Sequence, residues 1–589
     1  MIRKFIFLTF LILLAVVLFF NPNFKTIVAG IAILLFGMIM LEEGFRVFTK
    51  GRLKDFLKNA TNKLYKSLSV GALVTALLQS SSLVTVITIS FISAGLINLA
   101  GGIGLIFGAN IGTTATAWLV AGFGLKIKIS ALAMPMLIFG IIFSFQKKTT
   151  LKGIGNVLAG LGFFFLGIHY MKEGFDIFKQ YIDLTQYAIP GFLGVLIYSL
   201  IGIVITTILQ SSSATLALIL TALSAGQIEY ENALALAIGA NVGTTITAIL
   251  GSLSSNVSGK RLAGAHFIFN ITTGVVAIVL IYPISYLVNY LSYLFGIAET
   301  NYPLKLALFH TIFNVLGVII MIPFISKLEM FLLRFFKEKV VKDIDEPKFL
   351  NEAVLEFPGT AIASLIKESK YLYKNAVFEI VAHALNIHRD DIKSDKKIKK
   401  VIKRSKKDMQ IDVESLYYKK VKTIYGEIIN YATIAQSNLK LNENQSNIIT
   451  TIKIANRKMV EIIRDVRELN KNVTTYLNSN NKYISKEYDK FRKKVVKVLR
   501  IIYHFRKQGD KELYYEQLLK LKEEARKEIH RSNKSINKLI RDNLITVDMA
   551  SSLVNDTDNV NDMIKKLISV AELLYLDEES TFMKNKNEQ

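Results

Sequence analysis

Two clusters of amide and hydroxyl side chains interrupt an apolar background. The tetrapeptide QSSS occurs at Gln79–Ser82 and again at Gln210–Ser213, 131 residues later. The heptapeptide GANxGTT occurs at 108–114 and again at 239–245, with the same offset. Amides, hydroxyls and the N–H groups freed where a helix begins can bind an anion without a formal positive charge. Hydroxyl and carbonyl oxygens in the same place can coordinate sodium.

The two pairs of motifs therefore predict a site for an anion with a co-bound cation. No Lys or Arg lies near either motif, so the cation must neutralise the anion, and no cluster of Asp or Glu is available nearby for a proton relay. The candidate anion ligands are Gln79, Ser80, Ser81, Asn110, Gln210, Ser211, Ser212 and Asn241. The candidate sodium ligands are Ser82, Thr113, Thr114, Ser213, Thr244 and Thr245.

A third pair of segments extends the repetition. FGMIMLEEGF (Phe36–Phe45) and LGIHYMKEGF (Leu166–Phe175) align at an offset of 130 residues. Three matches in one order at nearly one spacing indicate an internal duplication.

Long apolar runs precede residue 337 and approach or exceed the roughly 17–25 residues that cross a bilayer core. They are Phe5–Phe20, Thr26–Leu41, Gly153–Tyr170, Phe267–Val288 and Leu304–Phe324. The first 24 residues have the basic start and apolar core of a signal peptide but no small-x-small cleavage site, so we expect an uncleaved first helix. The lipid bilayer is thus the first predicted partner.

The charged residues of the loops predict opposite orientations for the two copies. The segment Phe45–Lys66 is strongly basic and is expected in the cytoplasm, whereas the equivalent 172–183 carries more acidic than basic residues and is expected outside. Lys126 and Lys128 would fall outside, against this rule. An inverted repeat is the simplest topology.

Inverted repeats with broken helices near the bilayer centre are how many secondary transporters build a substrate site. A serine run is tolerated there when it is buried in protein or lines a watery cavity, although small residues also serve close helix packing. The residues before each QSSS are too short to cross alone, so we expect two re-entrant hairpins whose second arms begin at the serines. The predicted fold class is all-α: a polytopic membrane protein with a cytoplasmic helical bundle.

The motifs HFIFN (His266–Asn270) and HTIFN (His310–Asn314) follow the second GANxGTT. A histidine inside a membrane is a candidate functional residue. The plainer alternative is that both histidines form hydrogen bonds that tie helices together.

Composition excludes several classes of protein. There are no cysteines, which rules out disulfide and thiol chemistry, and neither a GxxxxGK[ST] loop nor an HExxH motif is present, so we expect no enzyme activity. The net charge of +25 arises from loops beside apolar runs and from a tail of mixed sign. Positive-inside bias explains it, and we expect no nucleic-acid partner.

The last 252 residues have a different composition. Residues 338–589 alternate apolar and charged side chains at helical spacing, which predicts an antiparallel helical bundle. The basic run His388–Asp408 is either a solvated helix face or a contact for lipid headgroups. Two acidic pairs on single helix faces could hold a divalent or iron ion or could simply be exposed: Glu461 with Asp465, and Asp558 with Asp562.

The predicted domains are a membrane transport domain, 1–337, and a cytoplasmic helical domain, 338–589. Within the first, repeat 1 spans about 27–145, repeat 2 about 154–290, and a final helix about 304–336.

Paired QSSS and GANxGTT motifs with HFxFN resemble the type II sodium-dependent phosphate cotransporter family, in its bacterial form with a PhoU-like tail. The resemblance implies sodium-coupled import of inorganic phosphate across the plasma (inner) membrane by alternating access. It assigns substrate and sodium binding to the QSSS and N-x-G-T-T residues, and a cytoplasmic regulatory partner to the tail. Animal members carry an Asp-dependent sodium site, but Pro135, Met136 and Phe139 stand at the corresponding places here.

Two alternatives fit the same residues. One is a membrane receptor that senses phosphate and signals through its tail. The other is a transporter of a different oxyanion, such as sulfate or arsenate, because neutral donors distinguish tetrahedral anions only modestly.

Overall fold

The computed structural model describes residues 15–49, 61, 63–125, 129–337, 346–405, 409, 412–477, 479–507 and 511–576. The chain forms two compact units. The first comprises Met1–Glu338 with Asn351–Ala353, and the second comprises Lys339–Leu350 with Val354–Gln589. Helices and turns make up the described ranges of both units, without a β-strand, as the sequence predicts.

The first unit contains fourteen α-helices within the described residues. They are α1 (Pro22–Thr49), α2 (Leu64–Leu78), α3 (Ser81–Ser93), α4 (Leu99–Leu119), α5 (Ile129–Ser144), α6 (Thr149–Lys179), α7 (Gly191–Leu209), α8 (Ser212–Ser224), α9 (Tyr230–Gly243), α10 (Thr245–Ser252), α11 (Val257–Val279), α12 (Ile281–Leu294), α13 (Tyr302–Met321) and α14 (Ile325–Phe335). A π-helical turn, Val120–Gly124, extends α4.

Seven segments of the described chain are long and apolar enough to cross a membrane. They are Phe24–Phe45, Leu99–Gly124, Thr149–Lys179, Gly191–Leu209, Tyr230–Ser252, Val257–Val279 and Tyr302–Phe335. The protein is therefore a polytopic membrane protein, as predicted. The hairpin helices α2, α3 and α8 have 15, 13 and 13 residues and are shorter than a full span.

One expectation about the hairpins is wrong. The segment before the second QSSS was expected to be too short to cross alone, but α7 has 19 residues and qualifies as a span. The helix begins at Gly191, directly after Pro190, well before the short apolar stretch nearest the motif.

The packing of α1 against α6 shows the inverted orientation of the repeats. These helices hold the duplicated EGF segments and pack along most of their length. Their glycines approach in antiparallel order: Gly30 meets Gly167, Gly37 meets Gly160 and Gly44 meets Gly153. Equivalent helices that run in opposite directions relate the two copies by a pseudo-two-fold axis in the membrane plane, as the loop charges predict.

The last membrane segment departs from the prediction of one helix over 304–336. It consists of α13, a 3-10 turn at Ile322–Phe324, and α14. Pro323 explains the interruption, because proline lacks the N–H that a continuous α-helix requires.

The second unit is helical throughout its described residues. Its α-helices are α15 (Pro358–Leu372), α16 (Phe378–Ala384), α17 (Arg389–Lys393), α18 (Ile398–Arg404), α19 (Val413–Tyr417), α20 (Thr423–Asn438), α21 (Glu443–Leu477), α22 (Lys482–Arg506), α23 (Lys511–Arg541) and α24 (Val547–Tyr575). The long helices α21 to α24 pack side by side and bury apolar faces such as Ile462, Leu499 and Leu567.

Some predictions fall on residues outside the described ranges. These are the start of the first apolar run before residue 15, the basic loop 50–60, Lys126 and Lys128, the boundary at 338, and residues 406–408 at the end of the basic run.

Candidate functional site

Each QSSS motif forms the corner of a helical hairpin. Gln79 ends α2 and Gln210 ends α7, and both adopt the left-handed conformation, with φ of 53° and 55°. Each glutamine amide donates back to its own helix, to the carbonyls of Ala76 and Thr207 respectively. This local hydrogen bond reverses the chain without a glycine, and the side-chain carbonyl of each glutamine remains available.

The serines that follow begin the second arm of each hairpin. Ser80 caps α3 by accepting from Leu83 N at 3.2 Å, and Ser211 caps α8 by accepting from Ala214 N at 3.2 Å. The N–H groups of the next two residues in each arm precede the first intrahelical bond. Both corners therefore present backbone donors at the positive end of a helix dipole, as an anion site requires.

Ser81 and Ser212 occupy the first turn of α3 and α8. Both are buried, at 8% and 4% exposure, and their hydroxyls form no hydrogen bond within the described part of the chain. A buried hydroxyl without a protein partner can bind a ligand.

The glycines of GANxGTT press the following helix onto the hairpin. A Cβ at Gly108 would lie 2.0 Å from Leu68 O, and one at Gly239 would lie 1.9 Å from Ser199 O. Only glycine allows a backbone approach of this kind, which brings α4 against α2 and α9 against α7. The motif thereby places its Asn and Thr side chains beside the hairpin corner.

Thr116 joins the two hairpins. Its hydroxyl donates to Gln79 Oε1 at 2.9 Å, and its oxygen lies 3.2 Å from Ser213 Oγ, which can donate to it. The first corner contributes Gln79 and the second contributes Ser213, so the two QSSS motifs are two hydrogen bonds apart. The repeat-based prediction that they converge is consistent with this contact.

The threonines predicted to bind sodium all donate to carbonyls of their own helices. Thr113 and Thr244 donate to the residue four positions earlier, and Thr114 and Thr245 to the residue three positions earlier. Donation by the hydroxyl hydrogen leaves the oxygen lone pairs unused, and these are what a cation would contact.

The two asparagines have different surroundings despite their equivalent positions. Asn110 donates to Ile106 O in its own helix at 2.9 Å. Asn241 donates to Asn314 Oδ1 at 2.8 Å and accepts from His310 Nε2 at 3.1 Å. The amide of Asn241 is thus engaged with α13, whereas the amide oxygen of Asn110 accepts no hydrogen bond within the described part of the chain.

The histidines follow the plainer expectation in one case. His310 ties α13 to α9 through Asn241. His266 on α11 is also buried, but its Nδ1 has no partner among the described residues, nor does Asn270 Oδ1.

The hairpins and the helices that cover them carry no charge. Between Lys66 and Lys126, and between Asp183 and Glu229, the sequence contains no Asp, Glu, Lys or Arg. Any ion bound at the corners would be held by neutral groups and helix dipoles.

Sequence analysis missed Thr116 and Asn314. Thr116 has an equivalent, Thr247, at the offset of 131, and this signal could have identified it. Asn314 lies in HTIFN, but its partner Asn241 is 73 residues away, which no local pattern indicates.

The acidic pairs of the tail do not converge. Within the described residues, no group of three or more His, Asp or Glu side chains could hold a metal ion. Glu461 pairs with Arg457, Asp465 with Lys566 at 2.6 Å, and Asp562 with Lys565, while Asp558 is exposed. The predicted metal site therefore has no support, because neighbouring cations already neutralise three of its four carboxylates.

Comparison with known proteins agrees with the motifs. The model of the Na+/Pi-cotransporter family matches residues 33–173 and 194–321, which contain both QSSS and both GANxGTT motifs. The uncharacterized protein YqeW of Bacillus subtilis (strain 168) is 30% identical over 308 residues, covering 50% of this chain and 92% of YqeW. No solved structure matches the chain.

Two further relatives carry functional names. YjbB of Escherichia coli (strain K12), named provisionally as an inorganic phosphate export protein, is 28% identical over 353 residues, which is 58% of this chain and 61% of YjbB. Sodium-dependent phosphate transport protein 2B of Bos taurus is 37% identical over 102 residues, 17% of this chain and 14% of that protein. The family match ends at residue 321, so the PhoU-like nature of the tail stays a prediction. The fold, the duplicated motifs and these matches together show that the chain belongs to the Na+/Pi-cotransporter family.

Proposed function

We propose that this protein is a sodium-coupled symporter that imports inorganic phosphate across the plasma membrane by alternating access. The observation that carries the proposal is the meeting of the two hairpin corners at Thr116. Two helix starts that belong to oppositely oriented repeats make a neutral, polar site inside an otherwise apolar unit.

The anion would be bound by the donors of the two corners. The N–H groups at the starts of α3 and α8 and the hydroxyls of Ser81 and Ser212 are suited to phosphate oxygens. Asn110 and the two glutamines would complete the shell. Asn241 would act through its contact with α13, because its amide already has two partners.

Sodium would supply the missing positive charge. The oxygens of Ser82, Thr113 and Thr114, with their equivalents Ser213, Thr244 and Thr245, are the proposed ligands. A neutral lining needs the cation in order to bind the anion, and this requirement would couple the two fluxes.

The direction of transport and the position of the tail belong to the same proposal. Basic loops such as Lys147–Lys148 would face the cytoplasm, which would put the second unit inside the cell, where it could bind a regulatory partner. The name of YjbB describes export, so import by this chain needs its own test.

The experiment is phosphate uptake into proteoliposomes that contain the purified full chain. An inward sodium gradient is compared with an inward potassium gradient and with a proton gradient, using radiolabelled phosphate. Concentrative uptake with sodium alone is expected. Equal uptake under all gradients would contradict coupling, and saturable sodium-dependent binding without uptake would favour a phosphate-sensing receptor. Competition by sulfate and arsenate identifies the preferred oxyanion.

A further inference from the structure

The bridge through Thr116 exists in one repeat but not in the other. Exchange of the repeats maps Gln79 to Gln210, Thr116 to Thr247 and Ser213 to Ser82, each at the offset of 131. The residue types are identical, so the chain contains every side chain needed for a second bridge, Gln210–Thr247–Ser82. In the described structure, however, Thr247 donates to Thr244 O at 2.6 Å, and no hydrogen bond joins it to either partner.

The backbone of the two GANxGTT motifs differs in the same sense. In repeat 1, α4 passes through Gly112 and Thr114 without interruption. In repeat 2, α9 ends at Gly243 and α10 begins at Thr245, and Thr244 N bonds Asn241 O three residues back at 3.2 Å. Nearly identical sequences therefore adopt two conformations in one molecule.

The buried network around Asn241 is a third difference between the repeats. The broken helix of repeat 2 is held by Asn241, His310 and Asn314, whereas Asn110 bonds only within α4. A segment whose sequence is compatible with both conformations is a two-state element, which is what a conformational switch requires.

We infer that the two bridges are alternatives, and that transport exchanges the Gln79–Thr116–Ser213 bridge for a Gln210–Thr247–Ser82 bridge. This inference rests on the proposed function, because it assigns the two bridges to the two access states of the transporter. In the opposite state, the helix of repeat 1 breaks near Thr113 and the helix of repeat 2 becomes continuous. Thr116 and Thr247 are then positioning residues, since each holds a glutamine and a serine that face the ligand.

The absence of cysteine from the chain allows a direct test by disulfide formation. One variant combines Thr116→Cys with Ser213→Cys, whose hydroxyl oxygens are 3.2 Å apart, and the other combines Ser82→Cys with Thr247→Cys. Both are oxidised with copper phenanthroline in membranes containing either sodium phosphate or potassium chloride. Free thiols are counted by the mass added by a maleimide polymer, and reduction must restore two free thiols in each variant.

Both pairs are expected to form disulfides, and a change from potassium chloride to sodium phosphate should move the two yields in opposite directions by about twofold or more. Addition of Thr116→Val to the Ser82→Cys/Thr247→Cys variant should raise its yield, because the competing bridge is lost, whereas Thr116→Ser should not. Failure of the 82/247 pair to oxidise under either condition, or yields that rise and fall together, would overturn the inference.

Uptake by the unmodified protein separates this inference from the proposed function. Sodium-driven uptake with disulfide yields that do not respond to ligand would leave the symporter proposal standing and remove the exchange of bridges. Opposite changes in the two yields without uptake would support the exchange and contradict transport.

Discussion

Thr116 of the first repeat and Ser213 of the second repeat lie with their hydroxyl oxygens 3.2 Å apart. The two residues are 97 positions apart in the sequence and belong to opposite hairpin systems. Their contact brings both helix starts to one place in a unit that contains long stretches without charge. It explains why a chain that is otherwise apolar carries the same polar tetrapeptide twice.

Removal of either free serine hydroxyl should weaken phosphate transport. Ser81→Ala and Ser212→Ala each delete a buried hydroxyl that has no partner within the described chain. A hydrogen bond to a charged group contributes about 1.5–3 kcal/mol, so the KM for phosphate should rise about tenfold or more. The measurement is the concentration dependence of uptake in proteoliposomes.

The control for this experiment is Ser144→Ala, which removes an exposed hydroxyl that bonds its own helix. All three variants should reach the membrane in equal amounts. An unchanged KM in both Ser81→Ala and Ser212→Ala would remove the serines from the proposed site.

A methyl group at either motif glycine should separate the hairpin from its covering helix. Gly108→Ala and Gly239→Ala place a Cβ about 2 Å from the carbonyls of Leu68 and Ser199. Forced overpacking of this kind typically costs about 1–3 kcal/mol, so both variants should unfold at lower temperature in detergent. Gly426→Ala, in a helix where nothing lies within 4 Å, should be neutral or stabilising by up to about 1 kcal/mol. Equal melting temperatures for all three would show that the close approach is not needed.

The two asparagines should respond differently to truncation. Asn241→Ala leaves His310 Nε2 and Asn314 Oδ1 without their present partner, and each buried unsatisfied group costs about 1–3 kcal/mol. Asn110→Ala removes one bond within a helix. Thermal unfolding should therefore show the larger loss for Asn241→Ala, and a larger loss for Asn110→Ala would contradict the network.

The tail should lose stability as the pH rises through neutrality. Burial raises the pKa of Glu368 to about 7, although the backbone N–H groups of Phe349, Lys348 and Leu350 and the charge of Lys348 act to lower it. Because this pKa exceeds the ordinary value of 4.5, the folded state binds the proton more tightly than the unfolded state does. The stabilisation is present below pH 4.5 and is lost as the pH approaches 7, by roughly 3 kcal/mol.

Thermal unfolding of the full chain in detergent at pH 5 and pH 8 measures this effect. Glu368→Gln keeps an acceptor for Phe349 N but cannot ionise, so the second unit should melt at nearly the same temperature at both pH values. The same pH dependence in the variant and in the unmodified chain would assign the effect to another group.

The sequence predicted the features that depend on repetition and periodicity. The offset of 131 indicated the duplication and the convergence of the QSSS motifs, and the loop charges indicated the inverted orientation that the packing of α1 on α6 shows. The break at Thr244 could not be predicted, because GANIGTT and GANVGTT differ only by Ile111 and Val242 and one sequence pattern adopts both conformations. The fate of the tail carboxylates depended on partners such as Lys566, 101 residues from Asp465.

Reciprocal coupling of the two ions tests the central claim most directly. Proteoliposomes are prepared with equal sodium on both sides and an inward phosphate gradient, and the movement of radioactive sodium is measured. A symporter must let the phosphate gradient drive sodium inward above its starting concentration, and sulfate in place of phosphate should not do so. Phosphate entry without net sodium movement would contradict sodium-coupled transport by this protein.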